Sequence, residues 1–137
     1  SKYVVENIIH EFKDRYIILH IRREDQPQYE NTYHIQDTFR ALAALILLSD
    51  KRLLMDSFAQ HAAAALNKSS TVLWIANSPK VFGYNIHTNI IANPETITPE
   101  LRSSYLSKYN ILGDPIEFPY NHEREIFNVD TIINSLK

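Results

Sequence analysis

A carboxylate, a hydroxyl and an imidazole lie close together along the chain at Asp56, Ser57 and His61. They fall between two apolar runs, 53–55 and 72–75, and an alanine-rich stretch follows them. This order predicts a strand, a polar turn, a helix and a second strand. A helix start attracts anions, because its first backbone N–H groups are unpaired and its dipole is positive there. The pattern therefore predicts a phosphate-binding corner with an acid and a histidine beside it.

Each of these residues has a place in such a corner. Asp56 falls at the predicted carboxyl end of a strand, where ligands bind in open α/β sheets. Ser57 can cap the helix and offer its hydroxyl to a phosphate, and the backbone N–H groups of Phe58 and Ala59 point the same way. His61 is one turn further in, within reach of the same ligand. The alternative is a capped structural helix with a buried histidine, and the residues alone leave both interpretations open.

Helices alternate with apolar strands along the chain. Spacing and composition predict helices at 2–14, 35–48, 58–67, 98–109 and 128–136, and strands at 16–21, 52–56, 71–76 and 89–92. The strand at 16–21 has the composition of one that is buried on both faces of a parallel sheet. Segments 22–33 and 77–84 are predicted to be loops, and 114–123 is predicted to be irregular.

This alternation predicts an α/β fold, a Rossmann-like parallel sheet with helices on both faces. The chain opens on a predicted helix, whereas doubly wound domains usually begin with a strand whose turn carries the phosphate fingerprint. The chain has only two glycines. We therefore expect residues 1–137 to be a single α/β domain that lacks its first strand and belongs to a larger two-domain protein.

The composition narrows the function classes. The net charge is −2, which argues against a general nucleic-acid binder. The chain has no cysteine, which excludes disulfides and thiolate chemistry and favours a cytoplasmic location. Its six histidines are scattered without the spacing of metal ligands, so we expect no metal site.

Two further segments carry candidate binding residues. After the strand predicted at 16–21, Arg22 or Arg23 could neutralise a phosphate, and Glu24 or Asp25 could accept ribose hydroxyls. Lys80 and Tyr84 lie in the segment after the strand predicted at 71–76, and could close over a nucleotide or an acceptor. The alternatives are a solvated charged loop in the first case and a surface loop folded onto the core in the second.

The stretch 56–65 resembles the D-[ST]-G-x-x-H-x-x-A-A signature of the ADP-heptose:lipopolysaccharide heptosyltransferase family. The first two positions, the histidine and the last two alanines match, and Phe58 stands where the family has glycine. The resemblance covers residues 40–85. It implies the carboxyl-terminal, donor-binding half of a glycosyltransferase of the GT-B fold.

The resemblance also implies roles for these residues. Asp56 would approach the donor sugar, Ser57 and the backbone at Phe58 would hold the pyrophosphate, and His61 would contact a phosphate or the sugar. The implied donor is a nucleotide-diphosphate sugar, with no other cofactor, and the implied acceptor is a glycan or a lipid-linked acceptor of the lipopolysaccharide type. The catalytic base would come from the amino-terminal half, so no catalytic residue is assigned and this chain alone is expected to transfer no sugar.

A second hypothesis is a non-catalytic α/β module for binding or assembly. Phe58 in place of glycine and the lack of a first strand favour it. An incomplete sheet also exposes an edge, which predicts self-association in either case. For the glycosyltransferase, the expected location is the cytoplasm, including the periphery of the inner membrane face.

Overall fold

The computed structural model describes residues 1–22, 24–35, 38–75, 77–96 and 125–137. Within these ranges the chain forms helices α1 (Lys2–Phe12), α2 (Phe39–Leu48), α3 (Phe58–Ala65), α4 (Pro79–Phe82) and α5 (Val129–Leu136). The strands are β1 (Leu19–His20), β2 (Tyr33–His34), β3 (Leu53–Met55), β4 (Thr71–Trp74) and β5 (Thr88–Ile91). The predicted helix at 98–109 and the irregular segment at 114–123 lie outside the described residues.

All the strand pairs in these ranges are parallel. The larger sheet has the order β3-β4-β5, and β1 and β2 form a separate two-stranded sheet. The protein is therefore a mixed α/β fold, with parallel strands in two small sheets flanked by helices, and it is compatible with a Rossmann-like fold. This confirms the predicted α/β class, although the strands form two small sheets where one was expected.

Strand β4 is the centre of the core, since all four of its residues are buried. Leu73 packs in one cluster with Val4 and Phe12 of α1 and with Ile132 of α5. Because side chains alternate along a strand, Trp74 points to the opposite face of the sheet. Trp74 is 0% exposed, and its Nε1–H donates to Asn89 Oδ1 of β5 at 2.9 Å. The middle strand is thus buried on both faces of the sheet.

Two cations stabilise the amino-terminal edge of the larger sheet. The guanidinium of Arg52 donates to the carbonyls of Ser69 at 2.8 Å and Ile46 at 3.1 Å, and also to that of Ser49. Lys51 Nζ donates to the carbonyl of Lys137 at 2.9 Å, beyond the end of α5. Cations are favourable at helix carboxyl ends, where carbonyls are unpaired and the dipole is negative. The charges at this edge therefore have a structural role.

Two local predictions are wrong, those for 16–21 and 77–84. Within 16–21 only Leu19–His20 is a strand, and the segment is open, with Ile17 78% exposed, because the strand's one partner among the described residues is the equally short β2. The loop predicted at 22–33 is confirmed at its described residues up to 32, and its last residue, Tyr33, begins β2. The loop predicted at 77–84 contains α4, which the Ser78 side chain caps and which has Pro79 in its first turn.

The other elements in these ranges confirm the predicted order, with shifted ends. Helix α2 begins at Phe39 because the Thr38 side chain accepts the N–H of Ala41 at 3.2 Å. Helix α3 ends at Ala65, and Asn67 then adopts a φ of 54°, which is outside the helical region. In the described part of the chain, no helix is long and apolar enough to span a membrane.

Candidate functional site

Asp56 and Asn77 meet at the carboxyl edge of the larger sheet. Strands β3 and β4 are parallel neighbours, so their carboxyl ends lie side by side. The Asp56 N–H donates to Leu73 O at 3.2 Å, which continues the ladder beyond β3. The Asn77 side-chain amide donates to Asp56 Oδ2. Asp56 forms no ion pair with another described residue. It lies at the edge where ligands bind in parallel sheets.

The start of α3 lacks a side-chain cap. Ser57 occupies the N-cap position with an extended backbone, but its hydroxyl donates to Met55 O at 3.3 Å and caps nothing. The prediction that Ser57 caps the helix is therefore wrong. The other four helices of the described ranges each have a side chain that accepts an N–H of their first turn. In α3 the N–H groups of Phe58 and Ala59 have no acceptor among the described residues.

An exposed pair of aromatic rings lies at this helix start. The Phe58 ring packs edge-to-face on the Phe39 ring of α2, with centroids 5.2 Å apart. Phe58 is 56% exposed and Phe39 is 77% exposed. The side chain that replaces the glycine of the signature is thus paired with a neighbouring helix while much of its surface stays open to solvent.

His61 and Tyr84, two of the predicted site residues, are brought together. His61 Nδ1 lies 3.0 Å from the Tyr84 hydroxyl, and the two rings meet edge-to-face with centroids 5.5 Å apart. Which atom donates depends on the histidine tautomer. The pair lines a shallow, open cleft of about 400 Å³ between the end of α3 and the segment before β5. His61 thus links helix α3 to the β4–β5 connection.

Gln60 and His87 hold that connection from inside. Gln60 is 0% exposed, and its side-chain amide donates to Phe82 O at 3.2 Å. The buried His87 donates through Nε2 to Gln60 O at 2.9 Å. These bonds attach the segment that carries Tyr84 to α3, which explains the position of His87 as a structural contact.

The remaining predicted site residues are Arg22, Glu24 and Lys80. Arg22 Nη1 donates to Gln26 O at 2.9 Å and Glu24 O at 3.3 Å, so it braces its own loop. Glu24 is exposed. Lys80 is exposed on α4, and its backbone N–H donates to the Ser78 hydroxyl at 3.3 Å. The contacts of these residues give no direct evidence for a ligand site.

A histidine pair on the smaller sheet has a distinct electrostatic environment. His20 and His34 face each other in the register of β1 and β2, and His34 Nδ1 lies 3.3 Å from His20 O. Partial burial lowers the pKa of His20 below its usual value, and the positive Arg22 and the neighbouring His34 lower it further. His20 thus favours the neutral form.

Within the described ranges, no group of three or more histidines and acids could hold a metal ion. Comparisons of the chain with protein-family models, curated proteins and solved structures found no match. The candidate site therefore rests on its own geometry.

Sequence reasoning missed three residues of the site, which are Asn77, Gln60 and Phe39. Asn77 had a signal, because it is a polar residue just after a buried strand, as Asp56 is. Gln60 and Phe39 had no clear signal, since a glutamine within a helix and an aromatic residue at a helix start are both common on surfaces.

Proposed function

We propose that this chain is the donor-binding domain of a glycosyltransferase. The donor is a nucleotide-diphosphate sugar, and the acceptor is a glycan or a lipid-linked acceptor of the lipopolysaccharide type. The observation that carries the proposal is the uncapped start of α3, where the N–H groups of Phe58 and Ala59 lack acceptors among the described residues. This start lies at the carboxyl edge of a parallel sheet, directly after Asp56.

The helix start suits the diphosphate. Two N–H groups and the positive end of the dipole favour an anion there. The Ser57 hydroxyl is exposed, so rotation about its χ1 angle can exchange its 3.3 Å bond to Met55 O for a phosphate oxygen. When the bond to the sugar breaks, negative charge grows on the leaving diphosphate. Donors that are already in place stabilise that charge without rearrangement.

The carboxylate suits the sugar. Asp56 would repel a phosphate placed directly on it, but it accepts hydrogen bonds from hydroxyls. We assign Asp56 to the transferred sugar, Ser57 and the backbone at Phe58 to the diphosphate, and His61 with Tyr84 to the neighbouring cleft. The resemblance of 56–65 to the heptosyltransferase signature supports this arrangement.

The proposal includes the GT-B fold for the complete protein. An amino-terminal half would supply the catalytic base and the acceptor site, so the present chain would bind donor without transferring sugar. A cytoplasmic location, with access to the inner membrane face, is part of the same proposal.

A second candidate function is a non-catalytic binding or assembly module. The paired rings of Phe58 and Phe39 favour it, because they leave an exposed apolar patch where the signature has glycine. Among the described residues, β3 and β5 are the outer strands of the larger sheet, and their edges suit self-association.

Calorimetric titration with UDP-, GDP- and ADP-sugars separates the two candidates. The proposed function predicts saturable binding of at least one of them, weakened on Asp56→Ala and on His61→Ala. The matched control is Asn134→Ala, which changes an exposed residue of α5. If no nucleotide sugar binds while sedimentation shows a dimer, the assembly module is the better account.

A further inference from the structure

We infer that Asn77 is a positioning residue, which holds the Asp56 carboxylate in place for the hydroxyl groups of the donor sugar. The inference rests on the proposed function and deepens it, since it assigns the sugar and the diphosphate to different groups of the same site. It predicts that substitution of Asn77 reduces the gain in affinity that the sugar gives to the donor. The same substitution should leave the affinity for the nucleoside diphosphate alone unchanged.

Asp56 is held at its backbone and at its side chain. Its backbone N–H donates to Leu73 O at 3.2 Å, so the residue is tied to β4. The Asn77 amide, which follows β4, donates to Asp56 Oδ2. Because β3 and β4 are paired in parallel, both residues emerge at the same sheet edge. The register of the two strands thus fixes the orientation of the carboxylate.

The groups left over on this pair are mostly acceptors. An ionised carboxylate has about four acceptor positions, and Asn77 uses one of them. Asp56 Oδ1 and Asn77 Oδ1 form no hydrogen bond with any other residue in the described ranges, and both side chains are half-buried with access to solvent. A ligand that donates hydrogen bonds is therefore favoured at this pair. Neighbouring hydroxyls of a sugar do so, whereas phosphate oxygens accept and are repelled by the carboxylate.

The start of α3 has the opposite character. The N–H groups of Phe58 and Ala59 only donate, and so they suit the oxygens of a diphosphate. Donors and acceptors are thus separated along one continuous turn, 56–59. Removing the Asn77 amide frees the carboxylate to rotate, which costs the sugar its preorganised partner but leaves the helix start intact.

The experiment compares each nucleoside diphosphate with its sugar derivative on the full chain. Calorimetry with UDP, GDP, ADP, UDP-glucose, GDP-mannose and ADP-glucose gives, for the nucleotide that binds, the ratio of the two dissociation constants. This ratio measures how much the sugar adds to binding. We expect Asn77→Ala to lower the ratio by about tenfold, which corresponds to the loss of one hydrogen bond to a charged group. The diphosphate alone should keep its affinity within about twofold.

Two further variants test positioning against a merely structural role. Asn77→Ser keeps a hydroxyl donor and should recover part of the sugar contribution. Asn77→Asp keeps the shape but replaces the donor by a second acid, and should lose it. Asn134→Ala is the control variant, and it should change neither the affinity for the diphosphate nor that for its sugar derivative. Circular dichroism verifies folding, and if Asn77→Ala does not fold, the comparison of Asn77→Ser with Asn77→Asp decides.

The possible failures are distinguishable. If diphosphate and sugar derivative weaken equally in the Asn77 variants, or if neither weakens, the inference is overturned while the proposed function stands. If the unchanged chain binds none of the six compounds, the proposed function is overturned and the inference with it.

Discussion

Asn89 is predicted to be a main determinant of stability, because it links the buried core to the segment that carries Tyr84. Its Oδ1 accepts the indole N–H of the fully buried Trp74 at 2.9 Å. Its Nδ2 donates to Tyr84 O at 3.2 Å and to His87 O at 3.4 Å. Replacement by alanine removes all three hydrogen bonds and leaves the indole donor without an acceptor.

The magnitude follows from these bonds. A buried N–H that loses its acceptor costs about 1–3 kcal/mol, and each of the two longer bonds adds about 0.5 kcal/mol at most. We therefore expect Asn89→Ala to lower the free energy of unfolding by about 2–3 kcal/mol. With a urea dependence of about 1.5–2 kcal/mol per molar, the midpoint should fall by about 1.5 M.

Trp74 is the single tryptophan of the chain, so its fluorescence reports unfolding directly. A second series in the Trp74→Phe background, followed by circular dichroism, removes the indole donor. There, Asn89→Ala should cost about 1 kcal/mol less than in the unchanged chain. An equal cost in both backgrounds, or a cost below about 0.5 kcal/mol in the unchanged chain, would refute the assigned hydrogen bond.

The other predictions concern the helix start, the amino-terminal edge and pH. Ser57→Asp should cap α3 and so raise the free energy of unfolding, measured by urea unfolding, by about 0.5–1 kcal/mol. The same change should weaken the binding of a nucleoside diphosphate, measured by calorimetry, by about tenfold or more. Arg52→Ala should lower the free energy of unfolding by about 2 kcal/mol, because three carbonyls lose a charged donor. Acidification should weaken the fold, because the pKa of His20 is lowered in the folded state. The stability that neutral His20 contributes is fully present above about pH 6.5, its pKa in the unfolded chain. It is lost as the pH falls through the lower pKa of the folded state.

Each of these predictions has a control. A Ser57→Asp variant that gains stability and keeps its affinity would show that the diphosphate binds elsewhere. Lys51→Ala, which removes one exposed bond, should cost less than about 0.5 kcal/mol, and a cost equal to that of Arg52→Ala would contradict the assigned role. For pH, urea midpoints near pH 7.5 and pH 5.5 should differ less in His20→Gln than in the unchanged chain, and equal differences would contradict the origin of the effect.

The unit β3–α3–β4 could be predicted from the sequence because its signals are local. Short apolar runs, a polar turn and an alanine-rich stretch each specify their own structure, and fully buried Ala63 shows why small residues are required on α3. The position of Asp56 at a strand end follows from the same pattern.

The contacts of the site could not be predicted, because they depend on register and on rotamers. The partner of Asp56 depends on how β3 pairs with β4, and the pairing of β1 with β2 joins residues that are distant in sequence. Whether Ser57 caps α3 depends on one side-chain rotation. Helix α4 had a recognisable start at Ser78 and Pro79, but four residues are too few to show a helical period.

The most direct test of the donor site is the response of backbone amides at the start of α3. In a ¹H–¹⁵N correlation spectrum, titration with UDP, GDP or ADP should move the Phe58 and Ala59 signals furthest, and the shifts should saturate together with calorimetric binding. Binding with the largest shifts at Tyr84 and Ile86 would place the nucleotide in the neighbouring cleft. That result, or no shift at any amide, would contradict the assignment of the α3 start as the diphosphate site.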